Sequence, residues 1–244
     1  MPSFGWTQTP RPSTMPDTAA AFGSARTGNQ EHRTQIMSNS QPDRYDSTRR
    51  AWENIWDDAS IAVELEAVSL PRSQATIDAY LPFLPKDVPI LEAGSGLSAV
   101  VITLRRLGYR IQGIDYAVNA LIESKAYDRH LPLAAADVHA LPYADNSLGA
   151  YLSFGVLEHF EHGMTPALQE AYRVLMPGGV LVLTIPYPNV VHRLVALRRR
   201  LQAVGPLTDD SFYESTYTRR KLVDAAREAG FTILKVQPTS HAYT

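Results

Sequence analysis

The rhythm of apolar and polar positions changes at about Asp46. Before it, the chain is rich in Pro, Ser, Thr, Gln and Asn, with few large apolar groups and no sustained period. Such a stretch cannot offset its ordering entropy by burial, so residues 1–46 are predicted to be a disordered extension. Met37 is an alternative start, because Ser38 to Pro42 lead directly into a helical pattern. Residues 47–244 are predicted to form the folded domain. Its first helix places Trp52 and Trp56 one turn apart on one face, as packing residues or as a lid over a site. Ile61, Val63, Leu65 and Val68 extend that apolar surface.

Strands and helices then alternate. Strands are predicted over 88–92, 110–115, 131–136, 148–154, 180–185 and 231–236. Helices are predicted over 98–107, 118–127, 165–175 and 218–228. The helix stops are Gly108, Pro177 to Gly179, and Gly230, and Thr218 is a cap. Repeated units of this length imply a doubly wound α/β sheet, Rossmann-like, with right-handed crossovers. Ligands of such sheets bind beyond the carboxyl ends of the strands. The residues just after each strand therefore carry the functional reading.

Composition narrows the chemistry. The chain has 244 residues, 45% of them hydrophobic, which suits one domain with extensions. A net charge of −2 gives no general attraction to nucleic acid or anionic lipid. With no cysteine, a disulfide framework, a thiolate metal site and a Cys nucleophile are excluded. No secretory signal pattern and no membrane-spanning apolar run stands out, so the expected location is cytoplasmic.

The first strand ends in Glu92, followed by Gly94, Gly96 and Ser98. The glycines permit a tight turn and close approach to the backbone, and the following helix directs unpaired N–H groups there. Asp115 closes the second strand, where a carboxylate can accept from both hydroxyls of a ribose or simply start a helix. A dinucleotide enzyme shares these features, and Ala99 at its third glycine position is tolerated. Glu92 disfavours a pyrophosphate and tolerates a cationic ligand. Asp137, after the third strand, could accept from an adenine amine or be a solvated loop acid.

These residues resemble the S-adenosylmethionine (SAM)-dependent methyltransferases of class I, in their small-molecule branch. The likeness spans about Trp52 to Val236. The first motif is matched at Glu92, Gly94 and Gly96, the ribose acid at Asp115 and the adenine-side acid at Asp137. The strand-four motif is matched over 153–159, and the turn before the fifth strand over 170–179. The resemblance implies SAM as cofactor, with Gly94 and Gly96 at its methionine end. It places Tyr116 and Val138 beside the adenine, and Phe154 and Gly155 near the methyl group. The implied reaction is methyl transfer to a small-molecule or lipid- or glycan-linked acceptor, driven mainly by positioning.

Ser98 replaces a frequent third glycine, where its hydroxyl could cap the helix. Gly149 replaces a frequent acid. The family's final antiparallel strand is lacking after the sixth strand, which leaves sheet edges open. That gap motivates an alternative: a non-catalytic methyltransferase-fold module paired with a partner subunit. An NAD-dependent oxidoreductase is a third reading. His159 and Glu158 are candidate catalytic residues, His159 as a base near neutrality or as a structural and SAM-side group. No metal is assigned, because Gly155 stands where some relatives place a first ligand. Residues 187–217 are predicted to be a lid insertion, with Tyr187, His192, Tyr213 and Tyr217 as candidate acceptor contacts.

Overall fold

The computed structural model describes residues 2–8, 44–186, 215 and 217–238. Within them seven strands form one sheet: β1 (Pro2–Gln8), β2 (Ile90–Ala93), β3 (Ile111–Asp115), β4 (Leu133–Ala135), β5 (Leu148–Phe154), β6 (Leu175–Thr184) and β7 (Phe231–Pro238). Their spatial order is β4-β3-β2-β5-β6-β1-β7. The first five in that order are mutually parallel. β1 runs antiparallel to both its neighbours, from Ser3 opposite Thr184 to Thr7 opposite Val180 on one side. On the other side it runs from Pro2 opposite Pro238 to Gln8 opposite Phe231, with a bulge at Gly5 and Trp6.

No strand follows β7 among the described residues. The slot between β6 and β7 is filled instead by the N-terminal segment. The expectation of disorder over 1–46 is thus corrected at both ends, since Pro2–Gln8 is strand and helix begins at Arg44. The physical reason is the edge itself: β6 and β7 each present a ladder that an extended segment satisfies. The open edge that suggested a partner subunit is covered by the chain's own β1.

Among the described residues seven α-helices pack around the sheet: α1 (Arg44–Asp57), α2 (Ile61–Ser69), α3 (Pro71–Tyr80), α4 (Ala99–Arg106), α5 (Val118–Tyr127), α6 (Thr165–Val174) and α7 (Arg219–Glu228). One core layer joins Leu91, Ile114, Tyr151, Leu181 and Leu183 to Leu168 and Ala171 of α6 and Leu222 and Ala226 of α7. The other joins Ile90, Ile111, Leu152 and Val182 to Ile77 and Tyr80 of α3 and Val101 and Leu104 of α4. The strands alternate between these two layers, as a sheet covered on both faces requires. β2 is accordingly buried along its whole length.

The predicted boundaries hold within a few residues, with three differences. The apolar run expected from Trp52 to Val68 is two helices, and Val63 is 61% exposed rather than packed. α3, started by Pro71 at its first turn, has only a weak apolar stripe and was not expected. β6 begins at Leu175 rather than Val180, with a register shift through the Pro177 to Gly179 stretch. Gly149 also acquires a reason. A Cβ there would lie 2.8 Å from Pro85 and 2.9 Å from Val88, so any side chain, acidic or not, is shut out. α7 starts as expected, with Thr218 accepting from the Lys221 N–H.

Candidate functional site

A cleft opens beyond the carboxyl ends of β2, β3, β4 and β5, with about 1010 Å³ of empty space including its mouth. Glu92, Gly94, Gly96, Asp115, Tyr116, Asp137, Val138, Phe154 and Gly155 all line it. Residues far apart in the sequence meet there because each directly ends or follows a parallel strand.

The β2–α4 turn is left-handed at three points: Gly94 (φ +78°), Gly96 (φ +48°) and Ser98 (φ +59°). Space is as limiting as conformation. A Cβ on Gly94 would lie 2.3 Å from Val156, and one on Gly96 2.5 Å from the Trp56 ring. Ser98 keeps the left-handed backbone of the glycine it replaces, at a cost of about 1 kcal/mol. Its hydroxyl does not cap α4. It is fully buried and turns back to Ser95 Oγ at 3.3 Å and the Gly96 carbonyl at 3.4 Å. A residue in the left-handed region cannot present its side chain as an ordinary extended cap does.

Asp115 is fixed by backbone donors. The Gly96 N–H donates to its Oδ2 and the Ala117 N–H to its Oδ1, each at 2.8 Å. A carboxylate accepts at about four positions, so acceptor capacity is left for a ligand's hydroxyls. Burial raises its pKa, while the N–H groups of Ala117, Gly96 and Tyr116 pull the other way. Glu92 accepts from the Val101 N–H at 3.1 Å and is only 4% exposed. Burial pushes its carboxyl up to about 8, opposed by the Val101 N–H and reinforced by the nearby Asp115 charge. Two buried acids at one turn make that end of the cleft receptive to positive charge.

At the other end, Asp137 Oδ1 accepts from the His139 N–H at 2.8 Å and lies 2.9 Å from its Nδ1. His139 stands edge-on to Phe160, with ring centroids 4.3 Å apart. Together with Tyr116 and Val138 this gives an aromatic and apolar end with one acid, suited to a nucleobase.

Trp52 and Trp56 both line the cleft, stacked with centroids 5.7 Å apart. α1 is held over the site by Asn119 of α5, whose Nδ2 donates to the Glu53 carbonyl at 2.6 Å and Asp57 Oδ1 at 2.8 Å. His159 lines the cleft edge-on to Trp52, at 5.1 Å between centroids. Glu158 is buried outside the lining, its Oε1 4.0 Å from His159 Nε2. Tyr217 packs against the core near Gly163, not along the cleft. Tyr187, His192 and Tyr213 lie outside the described residues, as does most of the predicted lid. Among the described residues no three metal-ligating side chains cluster, and no helix is long and apolar enough to cross a membrane.

Sequence reasoning missed Glu64 and Val68 of α2, which also line the cleft. Their helical spacing carried no motif, so only the tertiary placement of α2 could find them. It also missed Tyr80, whose ring stacks on Phe154 at 5.6 Å and backs the cleft wall.

The order of acids along a doubly wound sheet suits a nucleoside ligand. Comparison with known proteins agrees: residues 91–183 match the family of the methyltransferase domain. The chain belongs to the class I SAM-dependent methyltransferases, whose cofactor is SAM. A demethylmenaquinone methyltransferase of Thermus thermophilus is 33% identical over 147 residues, 56% of this chain and 66% of that protein. A malonyl-[acyl-carrier protein] O-methyltransferase of Enterobacter lignolyticus is 26% identical over 151 residues, 61% of this chain and 57% of that protein. The chain spans between about a quarter and two thirds of the length of the first curated relatives it matches. The fold matches a S-adenosylmethionine dependent methyltransferase from Mesorhizobium loti at a TM-score of 0.53 and 18% identity. That match covers 67% of this chain and 83% of that one.

Proposed function

We propose that this protein transfers a methyl group from SAM to a small-molecule or lipid- or glycan-linked acceptor. The observation that carries the reading is Asp115, held by two backbone N–H groups beside the glycine turn and facing a cleft with acids at both ends. The residues fit the cofactor. Asp115 takes the ribose hydroxyls, and Tyr116, Val138 and Asp137 take the adenine. Gly94 and Gly96 let the methionine end approach the backbone, and Glu92 favours its positive charge.

SAM, when bound, supplies a methyl group on a sulfonium, already activated for in-line displacement. The protein's part is then orientation and exclusion of water. Phe154 and Gly155 form the wall beside the methyl, and Tyr80 keeps Phe154 in place. Trp52 and Trp56 roof the cleft against solvent. His159, at the edge of the cleft and edge-on to Trp52, is the residue placed to take a proton from a hydroxyl or amine acceptor. Glu158 acts from behind His159 as a positioning residue rather than at the substrate.

The similarity to a demethylmenaquinone methyltransferase, to a ubiquinone/menaquinone biosynthesis C-methyltransferase and to a malonyl-[acyl-carrier protein] O-methyltransferase supports small acceptors and leaves carbon and oxygen both open. Incubation of the full chain with methyl-labelled SAM and a fractionated small-molecule extract tests the proposal. Label is expected in a low-molecular-weight or solvent-extractable product, and S-adenosylhomocysteine should suppress it. Label found only in protein or nucleic acid would contradict it.

A further inference from the structure

The cleft contains one acid that the motif does not explain. Glu64 comes from α2, outside the sheet, and lines the same cavity as Glu92 and Asp115. Its carboxyl is half-buried, and among the described residues no donor or cation pairs with it. Burial alone raises its pKa. An ionised carboxylate in such a place is costly without a positive partner.

The packing of α2 says where along the cleft Glu64 stands. α2 lies on α4. Val68, one turn on from Glu64 and also on the cleft, packs against the same buried cluster as Val100 of α4 and Phe154, a cluster that includes Val101 and Leu104 of α4. Leu65 packs against the cluster that joins Ile61 of α2 to Ile102 of α4 and Leu131. Glu64 is therefore at the α4 end of the cavity, beyond the Gly94 to Ser98 turn. Asp137, Val138 and Phe160 line the opposite end, past β4, and Asp115, at the end of β3, lies between. In a ligand whose base meets Asp137 and whose ribose meets Asp115, the α4 end receives the amino-acid tail. That tail carries an ammonium and a carboxylate. The first turn of α4, with Ala99 and Val100 on the cleft, suits the carboxylate.

Building on the SAM reading, we infer that Glu64 receives the methionine ammonium of the cofactor, as a positioning residue contributed by the N-terminal helical layer. The pairing makes cofactor affinity depend on α2 as well as on the sheet. It also selects for the intact amino-acid tail over truncated thionucleosides.

Two ligands separate the tail from the nucleoside: S-adenosylhomocysteine, which has the ammonium, and 5′-methylthioadenosine, which lacks it. Both are titrated calorimetrically into the wild-type chain, Glu64→Gln and Asp115→Asn, with thermal melts confirming that each is folded. Glu64→Gln is expected to weaken S-adenosylhomocysteine about tenfold or more, as loss of a charged hydrogen bond does. The same change should leave 5′-methylthioadenosine unaltered, whereas Asp115→Asn should weaken both. Glu64→Gln binding S-adenosylhomocysteine as the wild type does would overturn the inference and leave the cofactor site standing. Equal weakening of both ligands would assign Glu64 a structural role and overturn it too. A folded wild-type chain that binds neither ligand would instead overturn the SAM reading itself, and the inference with it.

Discussion

The two halves of the sheet are built on different logic. In the β4-β3-β2-β5 half, the motif residues sit at or just past the ends of parallel strands, and helices seal both faces. In the β6-β1-β7 half, the two ladders are antiparallel, and their central strand comes from the opposite end of the chain. The first half carries the chemistry. The second carries the edge. What the difference teaches is that a binding motif is local in sequence, while edge protection is satisfied by whichever extended segment can reach it.

The largest expected effect tests the edge. Deleting residues 1–8 removes the strand that β6 and β7 share. The loss is expected to exceed roughly 3 kcal/mol, at about 1 kcal/mol per ladder bond, read from the urea midpoint. An unchanged midpoint would show that β1 does not hold the sheet. If the remaining folded fraction still binds S-adenosylhomocysteine, the two halves are separable in function as the comparison implies.

Asp115→Ala probes the other half. It is expected to weaken S-adenosylhomocysteine by about 1.5–3 kcal/mol through lost charged hydrogen bonds, measured by calorimetry. Affinity equal to wild type would place the ribose elsewhere.

Much of this was legible in advance, and the reasons are physical. Each of the strands β2 to β7 showed as an apolar run bounded by turn residues, and Glu92, Gly94, Gly96, Asp115 and Asp137 follow such runs directly. β1 was not legible. Pro2 to Gln8 alternates only through Phe4 and Trp6, too short a pattern to stand out at the head of a Pro-, Ser- and Thr-rich stretch, and its partners Val180 to Thr184 and Phe231 to Pro238 lie at the far end of the chain. Glu64 was equally silent, because an acid on a short amphipathic helix reads as a solvated face until α2 is seen to lie on α4. Ser98 was misread as a cap because its left-handed backbone has no signature apart from the glycine it replaces.

The pH dependence of stability separates the halves further. Glu92 has a folded pKa raised to about 8, from an ordinary value of 4.5. The folded state therefore binds this proton more tightly than the unfolded state. The associated stability is fully present below the unfolded pKa and is lost as pH rises from about 4.5 through 8. Glu92→Gln should flatten that part of the profile in chemical denaturation series, and a slope that persists would move the titration to another group. A cationic ligand at this turn favours ionised Glu92, so its affinity should rise over the same range.

The smallest effect belongs to the edge half again. Thr218→Ala removes the cap of α7, where the hydroxyl accepts from the Lys221 N–H at 3.3 Å. About 1 kcal/mol of stability should be lost. Cofactor affinity should not change, and a drop in affinity would show that the edge reaches the site.

The central claim is that the cleft over β2, β3 and β5 is a SAM site. Calorimetric titration of the full chain with S-adenosylhomocysteine, alongside NAD, tests it most directly. Saturable binding of S-adenosylhomocysteine at one site, with none for NAD, is the predicted result. A folded chain that binds NAD, or that gives no heat with S-adenosylhomocysteine, would contradict it.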